Sequence, residues 1–333
     1  MRIDLDTSSF KKKEINTMSD REAMGLPDFY RPCRINYKEL EATMKRLSGI
    51  RENLLAEMIE NPKNDFIIRY ASGLMLASLG DPRIDCYSPQ MVKISSKKEV
   101  VIGLAKEKVY KVLEKYKRFG VIEEWILKET PEISIKMKSF KMAKYPVTNS
   151  EYLEFLKDTK FPEIPTSWEF GIYPSSKANH PVYTVSCDAA DTYCEWLSKK
   201  TGRSFRLPTE FEWEFAAAGP LKNEFPWGNE FNPDVTNTLE SGLFQSTPVG
   251  LFPMGASSFG VMDMGGNVEE YVSNDYFPYG KEKVEDDLSL TLGTYRIARG
   301  GSFTRFSDLA RCSRRHGRYP SDIYVMGFRL AEG

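Results

Sequence analysis

The 333-residue chain sets 46 Lys and Arg against 47 Asp and Glu, a formal net charge of -1, so no global field draws in nucleic acid or an anionic membrane. Hydrophobic residues at 41% and aromatic residues at 13% are enough to bury a core and exclude disorder over most of the length. Five cysteines without CxxC spacing exclude a disulfide framework or a cysteine zinc site, and two histidines, His180 and His316, exclude three-histidine metal centres.

Residues 1 to about 37 hold few periodic apolar positions, and Pro27 and Pro32 point to an irregular, loosely docked leader that carries little function. No signal-type apolar stretch and no run long enough to cross a bilayer is present, which predicts a cytoplasmic protein. From Tyr37 to Ile59 the residues Leu40, Met44, Leu47, Ile50, Leu54 and Met58 recur at helical spacing, and Phe66 to Leu79 repeats the pattern before Gly80-Asp81-Pro82 breaks it. This predicts an antiparallel helix pair. Arg69 to Arg83 is similar to the end of a HEAT-type repeat, and one such repeat must pack on the chain beyond it to bury its own face.

A second domain is expected from residue 89 to 333, after a leader and helical region over 1–88. Met91–Ile94, Val100–Leu104 and Ile133–Met137 are β-rich, the last alternating as a half-buried strand does. Between them Lys106–Phe119 reads as a charged amphipathic helix on the surface. Three helices then show their ends: Thr148 and Glu151 form a capping box, Ser186 opens a helix that stops at Gly202, and Thr209 with Glu212 caps one closed by Gly219. Beyond Gly219 the chain is rich in Gly, Pro, Asn and aromatics, the pattern of loops pinned by side chains; Trp168, Trp213 and Trp227 are expected in the core.

At the C-terminal end, Arg299-Gly300-Gly301-Ser302-Phe303 and Gly327-Phe328-Arg329-Leu330 frame a polar segment. The two glycines suit a tight backbone path, and Gly327 suggests a turn into a last buried strand. Residues 296–329 hold eight arginines against two aspartates. A framed polar loop of this kind predicts ligand contacts from Arg305, Phe306, Ser307, Asp308, Arg314, Arg315, His316, Arg318, Tyr319, Asp322 and Tyr324, the alternative being a solvated basic face. Buried pairs of Arg299, Arg311 and Arg329 with Glu212 or Glu214 reduce the free charge. The partner expected is a protein or a small anionic ligand, with no nucleic acid and no membrane.

Six ordered blocks carry a resemblance: Lys144–Asn149, Arg206–Glu214, Pro226–Gly228, Gly265–Tyr271, Arg299–Phe303 and Gly327–Leu330. Together they resemble the formylglycine-generating enzyme, or sulfatase-modifying factor, family over roughly 89–333. The resemblance implies an α+β, C-type-lectin-like fold with little regular structure, here preceded by a small helical region.

It also implies chemistry that this chain lacks. Members that make formylglycine hold copper on two cysteines after the RGGS block; Arg305 stands at the first position, and the second is Ala310 or deleted. Cys312 reads as a packing residue. Residues 1–88 contain no histidine, which excludes the iron chemistry of the family's sulfoxide synthases. The expectation is therefore no copper, no iron and no copper-dependent formylglycine-generating oxidase. Structural calcium is the cofactor that the resemblance implies, at Asp263, Gly266, Val268 and Glu270, the alternative being carboxylates that cap loop amides. A second site at Asn237 is shortened, and its loss is the safer reading. The function expected is a ligand- or protein-binding module with loop 302–326 as its surface, of the retroelement-diversified variable-protein type; the alternative is a non-copper oxidative or natural-product-modifying enzyme.

Overall fold

The computed structural model describes residues 5–333 other than 12, 97, 282, 283 and 286. The leader, expected to be loose, is docked. It makes 3-10 turns at Ser8–Lys11 and Ile15–Thr17, then a four-residue helix α1 (Asp20–Ala23) closed at its start by a reciprocal Ser19/Glu22 capping box. The expected helix pair is three helices, α2 (Tyr37–Leu47), α3 (Glu52–Glu60) and α4 (Phe66–Leu79). Gly49, at φ +84°, breaks the helix between α2 and α3. Leu40, Leu47, Leu55, Ile59 and Leu76 bury against Leu243, Leu251 and Phe252, so the helical unit completes its core on the rest of the chain.

The remainder runs β1 (Met91–Ile94), β2 (Lys98–Ile102), α5 (Val109–Tyr116), α6 (Glu123–Leu127), β3 (Ile133–Met137), β4 (Phe140–Ala143), α7 (Asn149–Thr159), α8 (Cys187–Thr201), β5 (Phe205–Arg206), α9 (Glu210–Ala218), β6 (Glu269–Asp275), α10 (Asp287–Leu292), β7 (Arg296–Arg299), β8 (Met326–Phe328) and β9 (Ala331–Glu332). The capping residues act as the sequence predicts: the Thr148 and Thr209 side chains accept from the amides of Glu151 and Glu212, and Ser186 from Ala189. Gly202 ends α8 in the left-handed conformation. The α5 segment does not simply lie on the surface. Val109, Tyr116 and Phe119 are buried with Phe225 and Phe306.

Among the described residues, three small sheets form: β1-β4-β9-β5, the β2-β3 ribbon, and β7-β6-β8. In the last, β6 pairs antiparallel with β7 and parallel with β8. This sheet positions the C-terminal loop, because β7 enters it and β8 leaves it. Trp168 and Trp213 are buried, whereas Trp227 is half-buried and stacks on Phe225.

Candidate functional site

Two glycines set the path out of β7. A Cβ on Gly300 (φ +98°) would lie 3.1 Å from Met264 O and from the Trp213 ring, and one on Gly301 (φ +65°) 2.9 Å from the Leu309 carbonyl carbon. Gly327 differs from the expected turn. It lies within β8, and its missing Cβ admits Val182 O, which would otherwise be 2.5 Å away. After Gly301 the loop proceeds by successive turns, with amides of Arg305, Leu309, Ala310, Arg311 and Arg314 donating to carbonyls three residues earlier. Thr304 Oγ1 donates to Ile323 O at 2.6 Å and ties the two ends together.

The loop is not the exposed surface that its composition suggests. Arg305, Phe306, Ser307, Asp308, Arg314, Arg315, His316 and Tyr324 are all buried; Arg318 and Asp322 are exposed and Tyr319 half-buried. The reason is that carboxylates distant in sequence take up the arginines. Arg299 and Arg315 converge on Glu210, Arg299 also reaches Glu214, Arg311 pairs with Glu129, and Arg329 with Glu270. Glu212, a candidate partner from sequence, pairs instead with Arg206. Arg315 is held at every nitrogen: it also donates to Lys128 O and Phe277 O and lies over the Tyr279 ring at 3.8 Å.

Glu269 and Glu270 are consecutive on β6 and so point to opposite faces of the sheet. Glu270 is spent on Arg329 and on the indole of Trp213. Glu269 faces the loop and is under-bonded. Its Oε1 lies 3.5 Å from Arg305 Nε and its Oε2 lies 3.6 Å from His316 Nε2. Glu269 Oε2, Arg305 Nη1 and His316 Nε2 are buried and have no hydrogen-bond partner among the described residues. Burial pushes the Glu269 carboxyl up to about 7, with Arg305 opposing, and drives the His316 imidazole well below its usual range with Arg305 and Arg314 reinforcing. His316 Nδ1 faces Gly317 O at 3.2 Å and is the donor there, which leaves Nε2 as a bare acceptor toward Glu269. The Arg305 guanidinium lies 4.5 Å from the centre of the Tyr324 ring.

The leader covers this region, a feature that sequence reading missed. Phe10 meets Phe306 edge-on at 5.8 Å, and Phe306 stacks on Phe119 at 4.4 Å. Asn16 accepts from the Tyr324 hydroxyl at 3.3 Å and donates to Asp287, while Ser321 Oγ donates to Asp20 at 2.6 Å. Between leader and loop lies a cleft of about 410 Å³, lined by Asn16, Asp20, Tyr319, Ser321, Asp322 and Tyr324 among others. The Ser19/Glu22 capping box was the one legible sign that the leader is ordered.

Of the residues assigned to calcium, Asn237, Asp263 and Gly266 line one small cavity, but the side chains are engaged within the protein, as in the alternative of carboxylates that cap loop amides. Glu270 cannot turn to a cation without abandoning Arg329. Asp263 accepts from the Gly250 amide at 2.7 Å, and burial pushes its carboxyl up to about 6. Gly265 O is taken by Thr236, and a Cβ on Gly266 would collide with the Asn237 backbone; Val268 is buried beside them. Asn237 and Asn267 knot the loops with amide hydrogen bonds to each other, Gln245 and Thr247. Glu240, three residues after Asn237, accepts from the Ser307 amide at 2.8 Å. Among the described residues no cluster of three His, Cys, Asp or Glu could hold a metal ion. Saturating calcium is therefore expected to move the thermal midpoint by less than about 1 °C, since only binding to the folded state raises it; a rise of several degrees by scanning fluorimetry would restore the calcium assignment.

Cys312 is buried in a core cluster with Trp213, Phe215 and Ile297 that contains no second cysteine among the described residues. Burial pushes its thiol well above the usual range. Among the described residues no helix is long and apolar enough to cross a membrane.

Residues 109–333 match the sulfatase-modifying factor enzyme 1-like domain. The chain is 30% identical over 259 residues to inactive C-alpha-formylglycine-generating enzyme 2 of Mus musculus, covering 61% of this chain and 78% of that protein. It is also 30% identical over 226 residues to the serine/threonine-protein kinase pkn1 of Chlamydia caviae, covering 62% of this chain but only 35% of the kinase. The chain thus spans about a third of that relative's length. PvdO from Pseudomonas aeruginosa superposes with a TM-score of 0.55 at 23% identity, over 74% of this chain and 95% of PvdO. Treponema denticola variable protein 1 does so with 0.52 at 18% identity, over 73% and 94%. These likenesses show the fold, the mixed α+β architecture expected from the sequence.

Proposed function

The chain belongs to the sulfatase-modifying factor enzyme 1-like domain family, and from that premise we propose that it is a binding module whose ligand is seated at the cleft between the leader and Tyr319–Tyr324. The observation that carries this reading is the cleft itself: the loop's ionic groups are locked beneath it, leaving a fixed floor on the loop side and a few contact residues at the rim. A protein segment fits better than a small anion. Asp20 and Asp322 line the cleft, and the loop's arginines, Arg318 apart, are turned inward. The name of the mouse relative, an inactive enzyme, supports a role without catalysis. Diversification of the variable-protein type, as part of this proposal, is confined to about Arg318–Asp322, because changes at buried Arg305 or Arg315 strand a carboxylate. The HEAT-like reading of the helical region also belongs here, supported by the packing of α3 on α4.

One observation favours the alternative of a non-copper oxidative or natural-product-modifying enzyme, namely the under-bonded Glu269, Arg305 and His316. Space supports the binding reading instead. The cavity beside Arg305 measures about 10 Å³, room for a single water.

The test is selection of displayed peptides on the full-length protein. Selected peptides are expected to lose at least about tenfold in affinity to the Tyr319→Ala and Asp322→Ala variants, with the thermal midpoint of the exposed Asp322→Ala unchanged. Peptides indifferent to both substitutions would remove this cleft as the binding site.

A further inference from the structure

We propose that leader residues 5–25 are a displaceable occupant of the binding face, and that the face's external ligand is a turn-forming peptide segment of the leader's own chemistry, which competes with it. This rests on the binding-module reading above and adds to it both the ligand class and the regulation.

The way the segment is held points to displacement. Among the described residues, the backbone hydrogen bonds made by 5–26 run within the segment itself, such as Asp6 to Gly25, Ala23 to Ser19 and Leu26 to Arg21. The next backbone bond to the body of the protein is from Arg34 to Gly242. The segment is therefore fastened by side chains alone. Its helical pieces span at most four residues, too short to persist without the surface they lie on. Most of its residues are only half-buried, whereas the loop beneath is buried throughout 301–312. The leader's apolar side chains do pack on the body, Ile15, Met18, Ala23 and Met24 on one core cluster and Leu5 and Phe10 on another, but a part fastened only through side chains opens at lower free energy than the hydrogen-bonded floor beneath it.

The fastenings also describe what the face selects. Phe10 occupies a slot between Phe306 and Gly120, where a Cβ on Gly120 would approach the Phe10 ring to 2.9 Å. Six residues on, Asn16 meets the Tyr324 hydroxyl, and ten residues on, Asp20 meets Ser321. An aromatic side chain followed at these spacings by an amide and a carboxylate is a peptide signature, read by a slot and two hydroxyls. The cleft of about 410 Å³ beside Asp20 leaves space for a side chain larger than those the leader supplies.

The probe is a fluorescein-labelled synthetic peptide of residues 5–25, titrated by anisotropy into full-length wild-type protein and into the full-length Phe10→Ala/Asp20→Ala variant. The tethered leader competes at an effective concentration on the order of 1 mM, so the variant is expected to bind the peptide at least about tenfold more tightly than wild type. A peptide carrying the same two substitutions is expected not to bind. Hydrogen exchange on wild type, read separately, should show leader amides opening at least about a hundredfold more readily than those of α8 and α9. Equal weak binding to both proteins, with the variant's midpoint unchanged, overturns the proposal, as do leader amides that exchange as slowly as the core. The two readings fail separately. A peptide that binds in trans while no displayed peptide is ever selected sinks the external ligand and keeps the displaceable leader.

Discussion

Glu210→Ala lowers the thermal midpoint by on the order of 10 °C or leaves the chain unable to fold, because one carboxylate serves two buried guanidinium groups. Arg299 donates to Glu210 Oε1 at 2.9 Å through Nη2, and Arg315 donates through Nε to Oε1 at 2.8 Å and through Nη2 to Oε2 at 2.9 Å. All three side chains are fully buried. Burial opposes ionisation of Glu210, yet Arg299 and Arg315 hold its carboxyl below the usual range, so the ionised form is the one built into the fold. Removing it leaves the buried Arg315 charge with only neutral carbonyls, those of Lys128 and Phe277, and Arg299 with Glu214 as its remaining carboxylate. Breaking a buried pair in this way costs about 3–5 kcal/mol, a large part of the total stability of an ordinary domain. The exposed Glu154–Lys157 pair on α7 is the control. Glu154→Ala is expected to move the midpoint by no more than about 2 °C. Circular dichroism melts of the two variants decide the matter, and equal shifts would show that the buried network does not hold the loop.

Between about pH 5 and pH 8 the wild-type protein is expected to lose on the order of 3 kcal/mol of stability relative to its Glu269→Gln variant. The sign comes from the direction of the shift. Burial raises the Glu269 carboxyl from 4.5 to about 7 in the folded protein, so folding takes up a proton between those values. The favourable contribution is complete below about 4.5, declines as pH rises, and is gone above about 7. The groups facing Glu269 are Arg305, which pulls its pKa down, Ser302, Asp308, Arg314 and His316. Asp263, pushed up to about 6, titrates in the same range but is common to both proteins and cancels in the difference. Urea unfolding at half-unit pH steps gives the difference curve directly. Parallel curves for the two proteins would show that Glu269 is ionised throughout and firmly paired with Arg305.

Local rules carried the sequence reading a long way. The three caps at Thr148, Ser186 and Thr209 and the strands Met91–Ile94 and Ile133–Met137 depend on neighbours within a few residues, and the structure has each of them. The α+β class came from these together with the six ordered blocks. The helical break at Gly49 was hidden because an apolar period can continue across a turn.

What the sequence settled by itself was the inventory: which side chains exist, that no cysteine comes after Phe303 until Cys312, and that arginines crowd the C-terminal end. Whether those arginines face solvent was settled only by tertiary structure. Their carboxylates come from Glu129, Glu210, Glu214, Glu269 and Glu270, up to 182 residues away, and composition holds no record of such pairings. The same holds for the cover over the loop. Phe10 and Asp20 lie about three hundred residues before Phe306 and Ser321, and only the closing of the chain on itself makes them neighbours, since a side-chain contact needs proximity in space and leaves no period or spacing to read.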